Sequence, residues 1–301
     1  MELKALAKPI QWETLFDGDS KDGWMHSGIG VLRDGRVVFE APGGAALLFV
    51  DPRSHAVERI TVDVAVSHGI AVAHDDSIWI CDPGAQAPGQ VVQIDLDGNI
   101  LRRIEQPLRN KDEAGKWRPT SVALAANGDI WIGDGYGLSL VHVIRSNGTI
   151  ESFDGISSGT TFACAHGVAI DSRDSNGSIV VADRSNKRIV FLTHTGEYIR
   201  SIVSPIMTSP SSIAVRGNSL FVTDLYGAIL EVDEKDVVSA LIPTSNVNGR
   251  EGWPNRIVGA DSVAPNVSQG ELNSPHGITV SPDGDIYFTE WYLGGRAVKI
   301  S

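Results

Sequence analysis

Short stretches of alternating apolar and polar residues recur along the whole chain, and they share one phrase. The phrase is a Gly-Ile-x-Val-like run, a turn, an alternating strand, an acidic residue and a further strand. Its copies begin at residues 28, 69, 121, 167, 212 and 277. Many of the turns are Asp-Gly or Asn-Gly, which favour tight β-hairpins. No segment has a sustained apolar period of 3.6 residues, so the pattern predicts an all-β protein.

Six repeats of about four strands each predict a six-bladed β-propeller. The sixth copy ends at Ser301 after three strands, whereas the chain starts with the strand-like piece "IQWETLF" at residues 10–16. An N-terminal strand that completes the last blade would close the ring and cover its edges. Residues 1–301 are therefore predicted to form a single domain, with a long loop at 243–266. The alternatives are a β-sandwich or a five-bladed ring with a stray segment.

Three of the six copies place a His-Gly pair before their first strand: His68, His166 and His276. The other three copies have Ser27, Thr120 and Ser211 at this position. The first strand of a propeller blade is innermost, and alternate blades of a six-fold ring lie about 120° apart. The three imidazoles are therefore expected to meet on the axis, as ligands of zinc or another divalent transition metal. The alternative is that each histidine caps its own turn.

The end of each second strand should return to the level of these histidines. The repeated acidic residues there are interpreted as turn formers: Asp82, Asp134, Asp183 and Asp224. Tyr136 and Arg184 are polar residues that should face the same mouth. Arg184 could instead form a salt bridge to a neighbouring turn aspartate. Tyr226, Trp291 and Tyr292 are further candidates for its lining.

Composition and charge limit the classes of molecule that this protein is expected to bind. The net charge is −12 and the isoelectric point is about 5.0, which disfavours nucleic acid. The sequence has no long apolar span or basic amphipathic segment, so no membrane partner is expected. The two cysteines, Cys81 and Cys164, exclude a disulfide framework. "MELKALAKPI" lacks the apolar core of a signal peptide, which predicts a cytoplasmic protein. The expected partner is a small-molecule substrate. The sequence leaves the oligomeric state open.

At these residues the sequence resembles the peptidyl-α-hydroxyglycine α-amidating lyases, which are six-bladed propellers of the NHL-repeat type. The resemblance covers most of the chain, from "GIGV" to the end. It implies that His68, His166 and His276 hold zinc. It also implies that Tyr136 in "GDGYG" is the catalytic tyrosine and that Arg184 in "ADRSN" is an active-site arginine.

Two positions depart from the family pattern. The family has a further substrate-binding arginine after the second strand of blade one, where this chain has Glu40 and Ala41. The peptidyl-α-hydroxyglycine of the family is therefore not the expected substrate. Gly277 replaces an aspartate that helps to bind a structural calcium, so calcium is not expected. A weaker resemblance, in "PHGITVSPDGDIYFTEW" alone, is to virginiamycin B lyase.

The resemblance implies a metal-dependent lyase that cleaves a carbinolamide, N–CH(OH)–R, to an amide and an aldehyde. A tyrosine of lowered pKa, near the metal and Arg184, would take the hydroxyl proton. The rival hypothesis is a metal-hydroxide hydrolase of an ester, lactone or amide, with Glu40 as its base. A third hypothesis is that the protein is a non-enzymatic NHL scaffold that binds a partner on its rim.

Overall fold

The computed structural model describes residues 10–85, 88–174, 177–245, 247 and 249–301. These residues form six antiparallel sheets of four strands each. The predicted six-bladed all-β propeller is confirmed, and the sandwich and five-bladed alternatives are wrong. The predicted lack of a signal peptide falls on residues 1–9, outside the described part, and the extent of the single domain, 1–301, stays a prediction.

The strands follow the sequence repeat. Before the first repeat lie β1 (Trp12–Asp17) and β2 (Trp24–Met25). Blade one contains β3 (Ile29–Val31), β4 (Val37–Glu40), β5 (Ala46–Val50) and β6 (Val57–Thr61). Blade two contains β7 (Gly69–Val72), β8 (Ile78–Asp82), β9 (Gln90–Ile94) and β10 (Ile100–Ile104). Blade three contains β11 (Ser121–Leu124), β12 (Ile130–Asp134), β13 (Leu140–Ile144) and β14 (Ile150–Phe153).

The second half of the ring repeats this order. Blade four contains β15 (Ala165–Asp171), β16 (Ser178–Asp183), β17 (Arg188–Leu192) and β18 (Tyr198–Val203). Blade five contains β19 (Pro210–Arg216), β20 (Ser219–Asp224), β21 (Ala228–Val232) and β22 (Val238–Ile242). A hairpin of β23 (Arg256–Val258) and β24 (Asp261–Val263) precedes β25 (Pro275–Val280), β26 (Ile286–Glu290), β27 (Tyr292–Leu293) and β28 (Arg296–Ile300). Short 3₁₀ helices occupy Ser20–Asp22, Lys111–Glu113, Ile156–Ser158 and Arg184–Asn186.

The two chain ends meet in blade six. Its strand order is β25, β26, β28 and β1, so the N-terminal strand is the outermost strand of the last blade. Strand β1 pairs antiparallel with β28, from Trp12 opposite Ile300 to Asp17 opposite Arg296. The predicted closure is therefore observed, and the edge of β28 is paired rather than exposed.

The predicted loop at 243–266 contains the short hairpin of β23 and β24. Its strands are mostly exposed and have three residues each, so no alternation of buried and exposed positions could predict them. Gly259 lies between them with a φ of 64°, the left-handed backbone that a tight hairpin turn needs.

The core lies between the blades. The described residues form six apolar clusters, and each joins two neighbouring blades, including blades six and one. Large second-strand side chains such as Phe39, Trp131 and Phe288 are buried in these clusters. Each contributes about 1.5–3 kcal/mol through burial. The first strands line a central channel of about 720 Å³.

Both cysteines, Cys81 and Cys164, are free thiols. No helix in the described part of the chain is long and apolar enough to cross a membrane. The expectations about localisation, nucleic acid and other partners stay predictions.

Candidate metal centre

Three histidines meet at one end of the channel. His68 immediately precedes β7, and His166 and His276 are the second residues of β15 and β25. The imidazole centroids are 4.9 Å apart for His68 and His166, 4.6 Å for His68 and His276, and 5.1 Å for His166 and His276. All three side chains are buried. The structure thus brings together the residues that the repeat pattern singled out.

A hydrogen bond from Nδ1 to the next blade fixes each ring. The pairs are His68 with the carbonyl oxygen of Thr120 (2.7 Å), His166 with that of Ser211 (2.9 Å) and His276 with that of Ser27 (3.1 Å). A carbonyl oxygen can only accept, so Nδ1 carries the proton in each ring and Nε2 keeps a free lone pair. Bonds of this kind orient metal-ligating imidazoles.

The glycine after each histidine explains why the motif is His-Gly. A Cβ atom at Gly69, Gly167 or Gly277 would lie within 2.7 Å of the same carbonyl oxygen that accepts the Nδ1 hydrogen bond. Only glycine lets the neighbouring backbone come this close. The three histidines of blades two, four and six therefore donate to carbonyl oxygens of blades three, five and one, where the repeat has Ser or Thr.

The Nε2 atoms of two of these rings lie beside one phenol. Those of His68 and His166 lie 3.2 Å and 3.0 Å from the Tyr136 hydroxyl. The buried Nε2 of His276 has no hydrogen-bond partner among the described residues. Burial lowers the pKa of His68 to about 3 and the pKa values of His166 and His276 well below the ordinary value. The imidazoles are therefore neutral at pH 7, the form that binds metals.

A fourth histidine, His26, joins this cluster. It lies between β2 and β3, and its ring centroid is 4.4 Å from His68 and 4.5 Å from His276. Ligand atoms of His26, His68 and His276 lie within 4.8 Å of one another, so this group could hold a metal ion. Sequence reasoning missed His26 because the repeat alignment puts Ser27 at the histidine position. The only available signal was the neighbouring histidine in "MHSG".

Tyr136 and Arg184 lie at the centre of the site. The Tyr136 hydroxyl is 3.4 Å from the His26 Nε2. The same hydroxyl accepts a hydrogen bond from Arg184 Nη1, also at 3.4 Å. Arg184 Nη2 donates to Ser211 Oγ at 2.7 Å. Arg184 forms no ion pair with any described residue, so the alternative of a salt bridge to a turn aspartate is not observed.

The predicted lowering of the Tyr136 pKa is not found in the protein alone. Burial raises the pKa of this phenol, and the nearby Arg184 guanidinium opposes the shift without reversing it. A depressed pKa would require the further positive charge of a metal ion.

Glu40, predicted as the base of the rival hydrolase, lies beside His26 and contacts backbone amides. It is the last residue of β4 and is 2 % exposed. Its carboxylate accepts hydrogen bonds from the backbone amides of Ser67 and His26. Burial raises its pKa to about 7. This geometry gives Glu40 a positioning role, because both oxygens are occupied by amides of the segments that carry His26 and His68.

The acidic residues that end the other second strands bind backbone amides in the same way: Asp82, Asp134, Asp183, Asp224 and Glu290. Glu40 is thus the blade-one member of this series. The sequence alignment recognised only the four aspartates, because blades one and six use glutamate.

Aromatic side chains extend the site toward blades six and one. Trp291 stacks on His26 with centroids 5.1 Å apart, and Tyr226 contacts Trp253 at 5.1 Å. Tyr292 is 2 % exposed and contributes no surface to the mouth, so its predicted place in the lining is wrong.

No model of a known protein family matches the chain. A protein of Caenorhabditis elegans described as a probable peptidyl-alpha-hydroxyglycine alpha-amidating lyase is 28 % identical over 128 residues. The chain resembles an amidating lyase. The match covers 40 % of this chain and only 35 % of that relative, about a third of its length.

Solved structures share the fold over nearly the whole chain. A streptogramin B lyase has a TM-score of 0.64 at 20 % identity, covering 97 % of both chains. Virginiamycin B lyase from Staphylococcus aureus has a TM-score of 0.59 at 16 % identity, covering 97 % of this chain and 99 % of that one. A gluconolactonase from Xanthomonas campestris has a TM-score of 0.68 at 15 % identity, covering 97 % and 90 %. These relatives are enzymes, and at such identities they show the fold alone.

Proposed function

We propose that this chain is a metal-dependent lyase that cleaves a carbinolamide C–N bond to an amide and an aldehyde. The observation that carries the proposal is a cluster of three buried, neutral imidazoles, of which His68 and His166 lie within 3.2 Å of the Tyr136 hydroxyl. The partial match to an amidating lyase supports the reaction type. A small-molecule substrate and a cytoplasmic location remain part of the proposal.

The residues fit a late first-row divalent metal. The Nε2 atom of His276 is buried and has no hydrogen-bond partner among the described residues. An unsatisfied buried acceptor lowers the stability of the fold, and a bound metal ion would satisfy its lone pair. We propose that His68, His166 and His276 hold the ion, since all three rings are fixed through Nδ1. An all-imidazole donor set suits zinc and its neighbours rather than calcium, which prefers oxygen ligands.

The reaction requires that the O–H and C–N bonds break while a C=O bond and an N–H bond form. A bound metal would supply Lewis acidity to the substrate oxygen. Tyr136 would take the hydroxyl proton and return it to the departing amide nitrogen, since its hydroxyl lies between the imidazoles and Arg184. Arg184 would stabilise the phenolate form of Tyr136 through its charge.

The proposed substrate is not peptidyl-α-hydroxyglycine itself. Position 40 is a buried glutamate and position 41 a buried alanine, so no cation stands there to bind a substrate carboxylate. An uncharged carbinolamide fits this site better.

Elemental analysis and product analysis test the proposal together. Protein purified without chelator should contain about one equivalent of zinc or a similar metal. N-(hydroxymethyl)benzamide should yield benzamide and formaldehyde, with loss of activity after chelation. Absence of metal would overturn the proposal in favour of a binding scaffold. Benzoate in place of benzamide would overturn it in favour of the hydrolase.

A further inference from the structure

A cavity of about 500 Å³ opens beside His26. Three flat rings line it: Trp24, His26 and Trp291. Much of the remaining lining is small, including Gly43 and Gly44. His26 belongs both to this cavity and to the histidine cluster, so a molecule at the cluster can extend directly into the cavity.

Trp291 stacks on both of the other rings. The His26 and Trp291 rings are inclined by 28°, and the Trp24 and Trp291 rings by 30° with centroids 5.7 Å apart. Trp24 is 44 % exposed, so the part of its ring that does not stack on Trp291 is available to a ligand. Flat aromatic groups stack on such faces more favourably than aliphatic groups of similar size.

The cavity also selects against charge. No lysine or arginine is among its described lining residues. Its one carboxylate, Glu40, already accepts two backbone amides. A negatively charged group would lose its hydration here without gaining a partner, which is unfavourable.

Two glycines of the lining, Gly43 and Gly44, keep the cavity open. Gly43 and Gly44 have φ angles of 85° and 77°, which side-chain-bearing residues rarely adopt. A Cβ atom on Gly44 would also lie 2.5 Å from the carbonyl oxygen of Ala65. The loop after β4 therefore cannot readily fill the cavity with a side chain.

Resting on the proposed function, we infer that the substrate carries a flat, uncharged aromatic group beside the amide. This group stacks against the exposed part of Trp24, beside Trp291, while the carbinol carbon lies at the histidine cluster.

Product-like amides test this inference without requiring turnover. Calorimetric titration of the metal-loaded protein compares 2-naphthamide, isobutyramide and 6-carboxy-2-naphthamide. The naphthamide should bind on the order of tenfold more tightly than isobutyramide, from its buried area and stacking. Its carboxylate derivative should bind at least about tenfold more weakly than the naphthamide.

Variants locate the binding. Trp24→Ala should abolish most of the preference for naphthamide, and Trp24→Phe should keep much of it. Tyr198→Ala is the matched control, because Tyr198 is 38 % exposed on the outer strand β18 of blade four. Equal affinities for naphthamide and isobutyramide would overturn the inference. So would an equal loss in Trp24→Ala and Tyr198→Ala.

The same titration, combined with the turnover assay on the metal-loaded protein, separates this inference from the proposed function. A preference for naphthamide in metal-loaded protein that does not cleave N-(hydroxymethyl)benzamide would refute the lyase alone. Efficient turnover of aliphatic carbinolamides without any naphthamide preference would refute the aromatic substrate alone.

Discussion

In the proposed metal site, His166 and His26 are the two candidates for the third ligand beside His68 and His276. His166 is 1 % exposed, and its Nδ1 is anchored to the carbonyl of Ser211. His26 is only partly buried, and its ring is held by stacking on Trp291. Because an anchored imidazole loses less freedom on binding, we expect His166→Ala to weaken metal binding far more than His26→Ala.

The size of the effect follows from the affinity of imidazole and thiolate sites. Structural zinc is bound with about 10–16 kcal/mol by four ligands, or roughly 3 kcal/mol for each. At about 1.4 kcal/mol for each factor of ten, loss of His166 should reduce affinity by about 10²- to 10³-fold. Loss of a residue that hydrogen-bonds to a metal ligand costs about 10- to 100-fold, and loss of His26 should fall at or below the low end, about tenfold, because no hydrogen bond joins it to His68 or His276 among the described residues.

Competition with a fluorescent zinc chelator measures these affinities, and the visible spectrum of the cobalt form reports the number of ligands. His194→Ala is the control, because His194 is exposed in blade four. Thermal unfolding verifies that each variant remains folded. If His26→Ala lost at least about 10²-fold while His166→Ala bound normally, the argument from Nδ1 anchoring would be refuted and the ligands would be His26, His68 and His276.

Three other predictions concern single side chains. Tyr136→Phe should keep the metal but lose about 10²- to 10⁴-fold in turnover of N-(hydroxymethyl)benzamide, as for a missing proton acceptor; full activity would remove Tyr136 from the mechanism. Glu40→Gln should lower the free energy of unfolding in urea by about 1–3 kcal/mol, because an amide cannot replace both acceptor oxygens, while the rate stays within about tenfold. A lost rate at unchanged stability would instead support Glu40 as a base. His68 has a folded pKa of about 3 against about 6.5 when unfolded, so its contribution is complete above about pH 6.5 and falls as the unfolded chain takes up a proton. Metal-free protein should therefore lose about 2 kcal/mol more than His68→Leu between pH 7.5 and 5, and equal losses would contradict the neutral buried ring.

The fold and the three symmetric histidines could be predicted because both repeat with the blades. An acidic residue, a hairpin turn and a Gly-Ile-x-Val-like run mark each unit, and the truncated sixth copy predicts the pairing of β1 with β28. The convergence of His68, His166 and His276 follows from the same symmetry, since equivalent residues at the inner strands must lie around one axis.

Features that break the symmetry could not be predicted in this way. His26 lies one residue before the position equivalent to the three repeated histidines. The path of the chain from β2 brings its ring into contact with His68. Glu40 is singled out in the sequence because it stands where the resembled family has an arginine, and in the structure its carboxylate binds backbone amides as the other strand-end acids do. The aromatic cavity is formed by side chains from opposite ends of the sequence, Trp24 and Trp291, which no local pattern relates.

These departures from symmetry make the two sides of the site chemically different. A strictly three-fold arrangement of imidazoles would bind an ion but would not distinguish one side of a substrate from another. Arg184 donates to Tyr136 and to Ser211, so among the described residues the guanidinium beside Tyr136 lies on the side of blades four and five. Trp24 and Trp291 lie where blade six meets blade one, with no lysine or arginine among the described residues that line their cavity. In the proposed reaction, negative charge that develops during cleavage would be stabilised toward Arg184, whereas an uncharged group would be favoured in the cavity. The proposed substrate would therefore be oriented by its own polarity, with the oxygen that loses its proton near Tyr136 and the flat group beside the tryptophans.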